Sequence, residues 1–218
     1  MPASIRIGLL DADESVRFGR KLLFDSFPLA EVVFESDGAA SDLELVEQAL
    51  IDVLVIDQKL ASGPGIDFYQ RLRELTGIKQ APPAILTTSF DQPALSLAAL
   101  GAGISNVLAI EQGAKVMVEA ISQARAGANF YSLVELRKML ESQPRIRAVD
   151  LTFVSLIDQL PEKFASNLRR LKSTWQKMDA ARLEAYDLNS LKELVARLPV
   201  ANAVELVLAL NRSGMLDE

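Results

Sequence analysis

Along the first 126 residues, hydrophobic positions switch between two spacings. Short unbroken apolar runs give way to longer stretches in which apolar residues recur every three or four positions. The clearest run is Val53-Leu54-Val55-Ile56. It has no alternation, which suits a strand buried on both faces of a parallel sheet. The run stops at Asp57. Gly63-Pro64-Gly65, a few residues on, reads as a loop, since Pro lacks a donor and Gly tolerates positive φ. Ile66 to Arg73 then reads as an amphipathic helix reaching about Leu75.

The same sequence of patterns repeats on either side. Ile5 to Leu10 is a strand running into Asp11-Ala12-Asp13-Glu14, followed by helical spacing from Val16 to Phe24. Glu31 to Phe34 predicts a strand and Asp42 to Leu50 a helix. Ala84-Ile85-Leu86 predicts a strand ending in Thr87-Thr88, and Gln92 to Leu100 a helix. Ser105 to Ile110 and Ala114 to Ala126 complete the series. Five strand–helix alternations imply an α/β fold with a doubly wound parallel sheet. Right-handed crossovers gather all strand C-termini on one edge, where open α/β sheets hold their sites. Asp11, Asp13, Asp57 and Thr87 should collect there.

The pattern changes after residue 127. Leu133 to Leu140 is a short helical piece, and the polar Glu141-Ser142-Gln143-Pro144-Arg145 reads as a linker. Leu151–Leu160, Phe164–Leu171, Leu188–Leu198 and Ala203–Leu210 are four amphipathic segments, and Gly214 caps the last. The expected organisation is residues 1–127, a linker over 128–150, and a small all-α domain over 151–218.

Composition narrows the chemistry. The 218 residues carry 23 Lys and Arg against 29 Asp and Glu, a net charge of −6. That balance argues against a chain dominated by nucleic-acid binding. There is no Cys and no His, which removes disulfides, thiol and imidazole catalysis and most zinc sites. No apolar run approaches the roughly 18 residues of a membrane span, and Ser4 to Leu10 is short and runs straight into acids, unlike a signal peptide. A soluble cytoplasmic protein is expected, with no membrane partner.

The acids at the strand ends carry a resemblance. Leu9-Leu10-Asp11-Ala12-Asp13, Val55-Ile56-Asp57 with Gly63-Pro64-Gly65, Ile85-Leu86-Thr87-Thr88 and Ala102-Gly103 stand in the order found in bacterial response-regulator receiver domains. Over residues 4–127 the chain resembles that family, whose fold is a flavodoxin-like five-stranded parallel sheet. The resemblance implies that Asp57 is the phosphoacceptor for a histidine kinase, that Thr87 is the switch hydroxyl, and that Asp11, Asp13 and Asp57 hold Mg²⁺. Read without the resemblance, Asp57 is a loop-capping carboxylate, Thr87 a satisfied strand-end hydroxyl, and Asp11 and Asp13 helix N-cap acids; within it, the alternative is a relic Asp57 in a receiver that no longer turns over phosphate.

Two parts of the chain, at Ala12 and over Val107–Glu111, depart from the family pattern. Ala12 stands where the second acid of the metal pair belongs. Ile110 stands where the family has a Lys, with Glu111 in place of the following Pro, and Val107 replaces a frequent aromatic residue. Mg²⁺ wants near-octahedral oxygen ligands, and Ala12 removes one. An Ile cannot neutralise a phosphoryl anion, and it would dry the pocket.

The second half resembles NarL/LuxR-type regulators. Gly127 to Ser132 is similar to the segment that leads out of their receivers. Leu198-Pro199-Val200-Ala201-Asn202-Ala203-Val204-Glu205, continuing to Gly214-Met215-Leu216, is similar to the end of their helix-turn-helix domain. Leu151-Thr152 and Ser166-Asn167 resemble its opening and middle pairs. About five extra residues lie between Lys172 and Leu183, and Ala203 stands where the family has an Arg. The resemblance implies a reading helix over Leu188–Leu198, with Asn189, Lys192 and Arg197 as DNA-contact candidates. Residues 151–218 hold nine basic and nine acidic residues, and Glu193 sits on the reading helix. Since DNA affinity leans on phosphate neutralisation, that balance disfavours strong binding. The basic run Lys163, Arg169, Arg170, Lys172 and Lys177 reads either as a DNA-facing patch or as a solvated helix face.

The expected function is an atypical response regulator acting by protein–protein contact, with weak or absent phosphorylation. The alternative is a LuxR-type transcriptional regulator controlled at Asp57. An enzyme with its own substrate is not expected. Expected partners are a second copy of the chain and a signalling protein or histidine kinase, with DNA under the alternative. The dimer surface is expected on the last helix, where Val204 and Leu208 fall beside the main apolar stripe, or on Leu95, Leu97, Val116 and Val118.

Overall fold

The structure is a computed structural model that describes residues 4–89, 92–128, 130–143, 151–177 and 180–216, with Leu151 described by its backbone alone. The chain divides into two compact units, residues 1–130 and 131–218. Residues 144–150 of the expected linker lie outside the described residues, as does Asn129.

The first unit is the doubly wound α/β fold that the alternation predicts. β1 (Ile5–Leu10), β2 (Ala30–Ser36), β3 (Val53–Asp57), β6 (Ala84–Thr88) and β7 (Asn106–Ala109) form one five-stranded sheet in the order β2-β1-β3-β6-β7. All its pairings are parallel. β4 (Lys59–Leu60) and β5 (Gly63–Pro64) make a small antiparallel ladder after β3. The helices are α1 (Glu14–Asp25), α2 (Leu43–Gln48), α3 (Gly65–Thr76), α4 (Pro93–Gly101) and α5 (Gly113–Arg125).

β3 lies at the centre because both its faces are apolar. Leu54 and Ile56 join a cluster with Phe68, Tyr69 and Leu72 of α3 and Ala99 of α4. Val53 and Val55 join a second cluster with Phe24 of α1 and Met117, Ala120 and Ile121 of α5. Each fully buried side chain of this kind contributes roughly 1.5–3 kcal/mol, so the strand is pinned from both sides. Gly65 starts α3 hard against the end of β3. A Cβ there would come within 2.2 Å of the Asp57 carbonyl oxygen, so only glycine lets the loop close beside Asp57.

Two short elements differ from the sequence expectation. The helix over 42–50 divides into a 3₁₀ turn, Ala40–Asp42, and α2, which ends at Gln48, with Leu50 at φ 49. The strand expected to reach Ile110 ends at Ala109. Ile110 instead opens a 3₁₀ turn, Ile110–Gln112, in which the Ala109 N–H donates to Oε1 of Gln112 at 3.2 Å.

The second unit is helical. It holds α6 (Leu133–Glu141), α7 (Leu151–Asp158), α8 (Glu162–Gln176), α9 (Ala180–Glu184), a 3₁₀ turn at Leu188–Leu191, α10 (Lys192–Val195) and α11 (Ala203–Arg212). Ser132 caps α6 in a capping box with Glu135. α6 falls within the stretch read as linker, yet its Leu133 and Leu136 are fully buried. Arg137 donates from Nη1 to the Trp175 carbonyl at 2.5 Å and lies over its indole. The extra residues after Lys172 extend α8 to Gln176 and help supply α9.

The reading helix is also different. Leu188–Leu198 is a 3₁₀ turn and one α turn rather than a continuous helix. Leu188, Leu191 and Leu194 are buried, and their spacing of three matches the 3₁₀ period rather than 3.6. α11 ends as Gly214 suggests, at φ 74, with the Met215 N–H donating to the Leu210 carbonyl and the Gly214 N–H to that of Asn211. That is a Schellman closure. Val204 and Leu208, expected beside an uncovered face, are 1% and 3% exposed. α11 is buried from Ala203 to Leu208, Glu205 included, and packs against the Leu188–Leu191 turn and α10. The last helix therefore offers no apolar dimer face at these two residues.

Candidate functional site

The C-terminal edge of the sheet collects Asp11, just past β1, Asp57 at the end of β3 and Thr87 in β6. Register sets the distances: Asp57 pairs with Thr87 across the β3–β6 ladder. All three are buried, Asp11 at 4% exposure, Asp57 at 8% and Thr87 at 0%.

Each carboxylate oxygen of Asp11 and Asp57 has a partner. Asp57 Oδ1 accepts from the Lys59 N–H at 2.9 Å. Asp57 Oδ2 accepts from the Thr87 hydroxyl at 2.9 Å and from Arg20 Nη2 at 3.4 Å. Asp11 Oδ1 accepts from the Asp13 N–H at 2.8 Å, and Asp11 Oδ2 from Arg20 Nη1 at 2.7 Å. Arg17 Nη1 reaches the Asp11 carbonyl at 2.5 Å. Burial pushes the Asp11 carboxyl above its ordinary range. The Asp13 N–H opposes that shift, the Asp57 charge adds to it, and the Arg20 charge opposes it.

Arg20 is the residue that the sequence reading passes over. It comes from the middle of α1 and is 7% exposed. One signal was legible: Val16, Arg20 and Phe24 stand four apart on α1, so a charge sits on the face that otherwise enters the core. A buried charge without a partner is prohibitive, so an Arg there calls for acids at the sheet edge.

Asp13 is not part of this cluster. It is exposed and caps α1, its Oδ1 accepting from the Ser15 and Val16 N–H groups at 2.8 and 3.2 Å. Among the described residues, no group of three His, Cys, Asp or Glu is placed to hold a metal ion. Ile110 is 46% exposed and opens the 3₁₀ turn that follows β7. Val107 packs, partly buried, against the core face of α3 and α4.

In the second unit, the DNA-contact candidates Asn189, Lys192 and Arg197 are all exposed. The Arg197 guanidinium lies 4.5 Å from the Phe164 ring centre. Glu193 pairs with Lys163 at 3.7 Å, and Arg169 pairs with Glu162. Arg170 lies over Tyr186. Part of the basic run is thus engaged with neighbours in its own unit. Among the described residues, no helix is long and apolar enough to cross a membrane.

No protein-family model matches the chain. Among curated proteins, the cyclic di-GMP phosphodiesterase response regulator RpfG of Xanthomonas campestris is 23% identical over 168 residues, 77% of this chain and 42% of RpfG. The nitrate/nitrite response regulator protein NarP of Escherichia coli is 29% identical over 127 residues, 58% of each protein. The chain thus spans about half the length of these two relatives. Response regulator GacA of Pseudomonas aeruginosa is 23% identical over 216 residues, 98% of each protein. Among solved structures, a LuxR-family two-component response regulator from Aurantimonas sp. SI85-9A1 is 26% identical. Its TM-score is 0.56, over 64% of this chain and 98% of that one. The RcsB response regulator of Salmonella typhimurium shares the fold with a TM-score of 0.53 at 16% identity, over 97% of this chain and 92% of RcsB. The first unit has the receiver fold, and the relatives of the chain are response regulators, some of them of the LuxR family.

Proposed function

We propose that this chain is a response regulator of two-component signalling that works by protein–protein contact, with little or no phosphate passing through Asp57. The observation that carries this reading is the engagement of both Asp57 oxygens, by Lys59, Thr87 and Arg20. An acceptor carboxylate has to present one oxygen in line with the donor phosphorus while cations neutralise the phosphoryl oxygens. Here Oδ2 faces Thr87 and Arg20, and the position after β7 offers the uncharged Ile110.

Mg²⁺ fits this donor set poorly. Ala12 contributes no side-chain oxygen, Asp13 is spent on the N-terminus of α1, and Asp11 and Asp57 already hold an internal cation. Incubation with acetyl phosphate and Mg²⁺, followed by intact-mass analysis, tests the reading. Little or no added phosphate is expected. A stoichiometric adduct, lost in Asp57→Asn, would overturn it.

Contact would be made with a second copy of the chain and with a signalling protein, a histidine kinase included. With α11 buried, the remaining dimer surface lies on α4 and α5, where Leu95, Leu97, Val116 and Val118 are partly exposed.

A second reading, a DNA-binding LuxR-type regulator controlled at Asp57, is favoured by the likeness to the LuxR-family response regulator from Aurantimonas sp. SI85-9A1. Against it stand the equal basic and acidic counts of residues 151–218 and the short reading segment. We expect duplex binding no tighter than the non-specific range of roughly 10⁻⁴–10⁻⁶ M at physiological salt. A nanomolar footprint abolished by Lys192→Ala would favour the second reading.

A further inference from the structure

α1 distributes its side chains against the usual rule. Phe18 and Leu22 are 61% and 54% exposed, while Arg20 between them is 7% exposed. A guanidinium leaves water at high cost unless its charge and donors are matched inside. Arg20 is matched by two acids from two different strands. Its side chain spans Asp11 at 2.7 Å and Asp57 at 3.4 Å, one guanidinium nitrogen facing each carboxylate, as a planar fork allows.

Two buried carboxylates facing one pocket repel each other, and a proton or a cation relieves the repulsion. In this chain a side chain fills that role. Every carboxylate oxygen of the two acids already accepts a hydrogen bond. Asp11 Oδ2 and Asp57 Oδ2 face Arg20, Asp11 Oδ1 and Asp57 Oδ1 face backbone N–H groups, and Asp13 caps α1. We propose that Arg20 is the resident cation of this pocket: it stands where a divalent ion would otherwise sit and closes the site to Mg²⁺. The helix thereby carries the counter-ion of the sheet edge, and α1 is tied to β1 and β3 through charge as well as through Phe24.

The inference rests on the receiver-like reading of this edge, but its test reads metal binding and not phosphate. The full chain is titrated with Mn²⁺ by water-proton relaxation, and its melting midpoint is followed with and without millimolar Mg²⁺. Unmutated protein should show no saturable site dependent on Asp57, and its midpoint should not move with Mg²⁺. Arg20→Gln and Arg20→Ala should melt lower and bind Mn²⁺ more tightly by about tenfold or more, since two buried acids are left without a cation. Adding Asp57→Asn should remove the new site, and Mg²⁺ should restore part of the lost midpoint. Arg20→Lys, which keeps the charge and loses the fork, should fall between. If neither neutral variant folds in metal-free buffer, refolding in Mg²⁺ decides: recovery supports the proposal and failure contradicts it. A saturable Mn²⁺ site in the unmutated chain that Asp57→Asn abolishes would overturn it. So would a folded Arg20→Gln that ignores Mn²⁺ and melts normally. Phosphate on Asp57 would sink the functional reading and leave the role of Arg20 standing.

Discussion

The two units hold contrasting charge clusters. In the first, the side chains of Asp11, Arg20 and Asp57 are at most 12% exposed and satisfy one another inside the fold. In the second, Lys163–Glu193 and Arg169–Glu162 are pairs with side chains at least 63% exposed. Partners in water hold little free energy, because solvent screens them and ordering two long side chains costs entropy. Partners in the interior are individually indispensable, because losing one strands the others. The same residue types therefore mark a constrained site in one unit and an ordinary solvated surface in the other. A charge cluster becomes informative when it is buried.

The sharpest way to break that contrast is to remove the buried cation. Arg20→Ala should cost the first unit about 3–5 kcal/mol in metal-free urea unfolding. A loss below about 1 kcal/mol would place Arg20 with the exposed pairs. The second unit should be fragile at its apolar centre instead. Leu206→Ala on α11, at a fully buried position, should cost about 2–5 kcal/mol. Trp175, the one Trp of the chain and 4% exposed, reports that loss by fluorescence. Leu208→Glu should unfold the same unit. Native Trp175 emission in that variant would mean that α11 has an open face after all.

A smaller effect follows from Asp11. Burial, with the Asp57 charge adding, raises its folded-state carboxyl above the ordinary range, against the opposing pull of the Asp13 N–H and Arg20. The folded chain then binds that proton more tightly than the unfolded chain does. The contribution of Asp11 to stability is full below the ordinary carboxylate range and is lost as pH rises through the raised value. The stability of the unmutated chain minus that of Asp11→Asn should thus fall as pH climbs through and above that range. A difference that grows with pH would contradict the assignment. Smallest of all, Glu193→Ala should move stability by no more than about 0.5 kcal/mol, and a larger loss would show the exposed pairs to be structural.

Much of the first unit was legible in sequence, for a physical reason. A strand covered on both faces has to be apolar at every position, so Val53 to Ile56 could be placed at the centre of the sheet, with Asp57 at its exit. Asp11 and Thr87 followed from topology, since crossovers of one hand bring the strand ends together. Arg20 was missed because attention to strand ends overlooks a helix that reaches back to them. Its signal was a charge on the Val16–Phe24 face. In the second unit, period alone misjudged Val204 and Leu208. Whether a face is covered depends on which other elements arrive, and here the Leu188–Leu191 turn and α10 pack against α11. The Leu188–Leu191–Leu194 spacing was readable as three rather than 3.6, and it marks the 3₁₀ turn.

Association of this chain should not pass through phosphate on Asp57. Sedimentation velocity at micromolar protein, with and without acetyl phosphate and Mg²⁺, on the unmutated chain and Asp57→Asn, decides the matter. A homodimer of the same strength is expected in all four samples. Association that strengthens with acetyl phosphate in the unmutated chain and fails to do so in Asp57→Asn would contradict it.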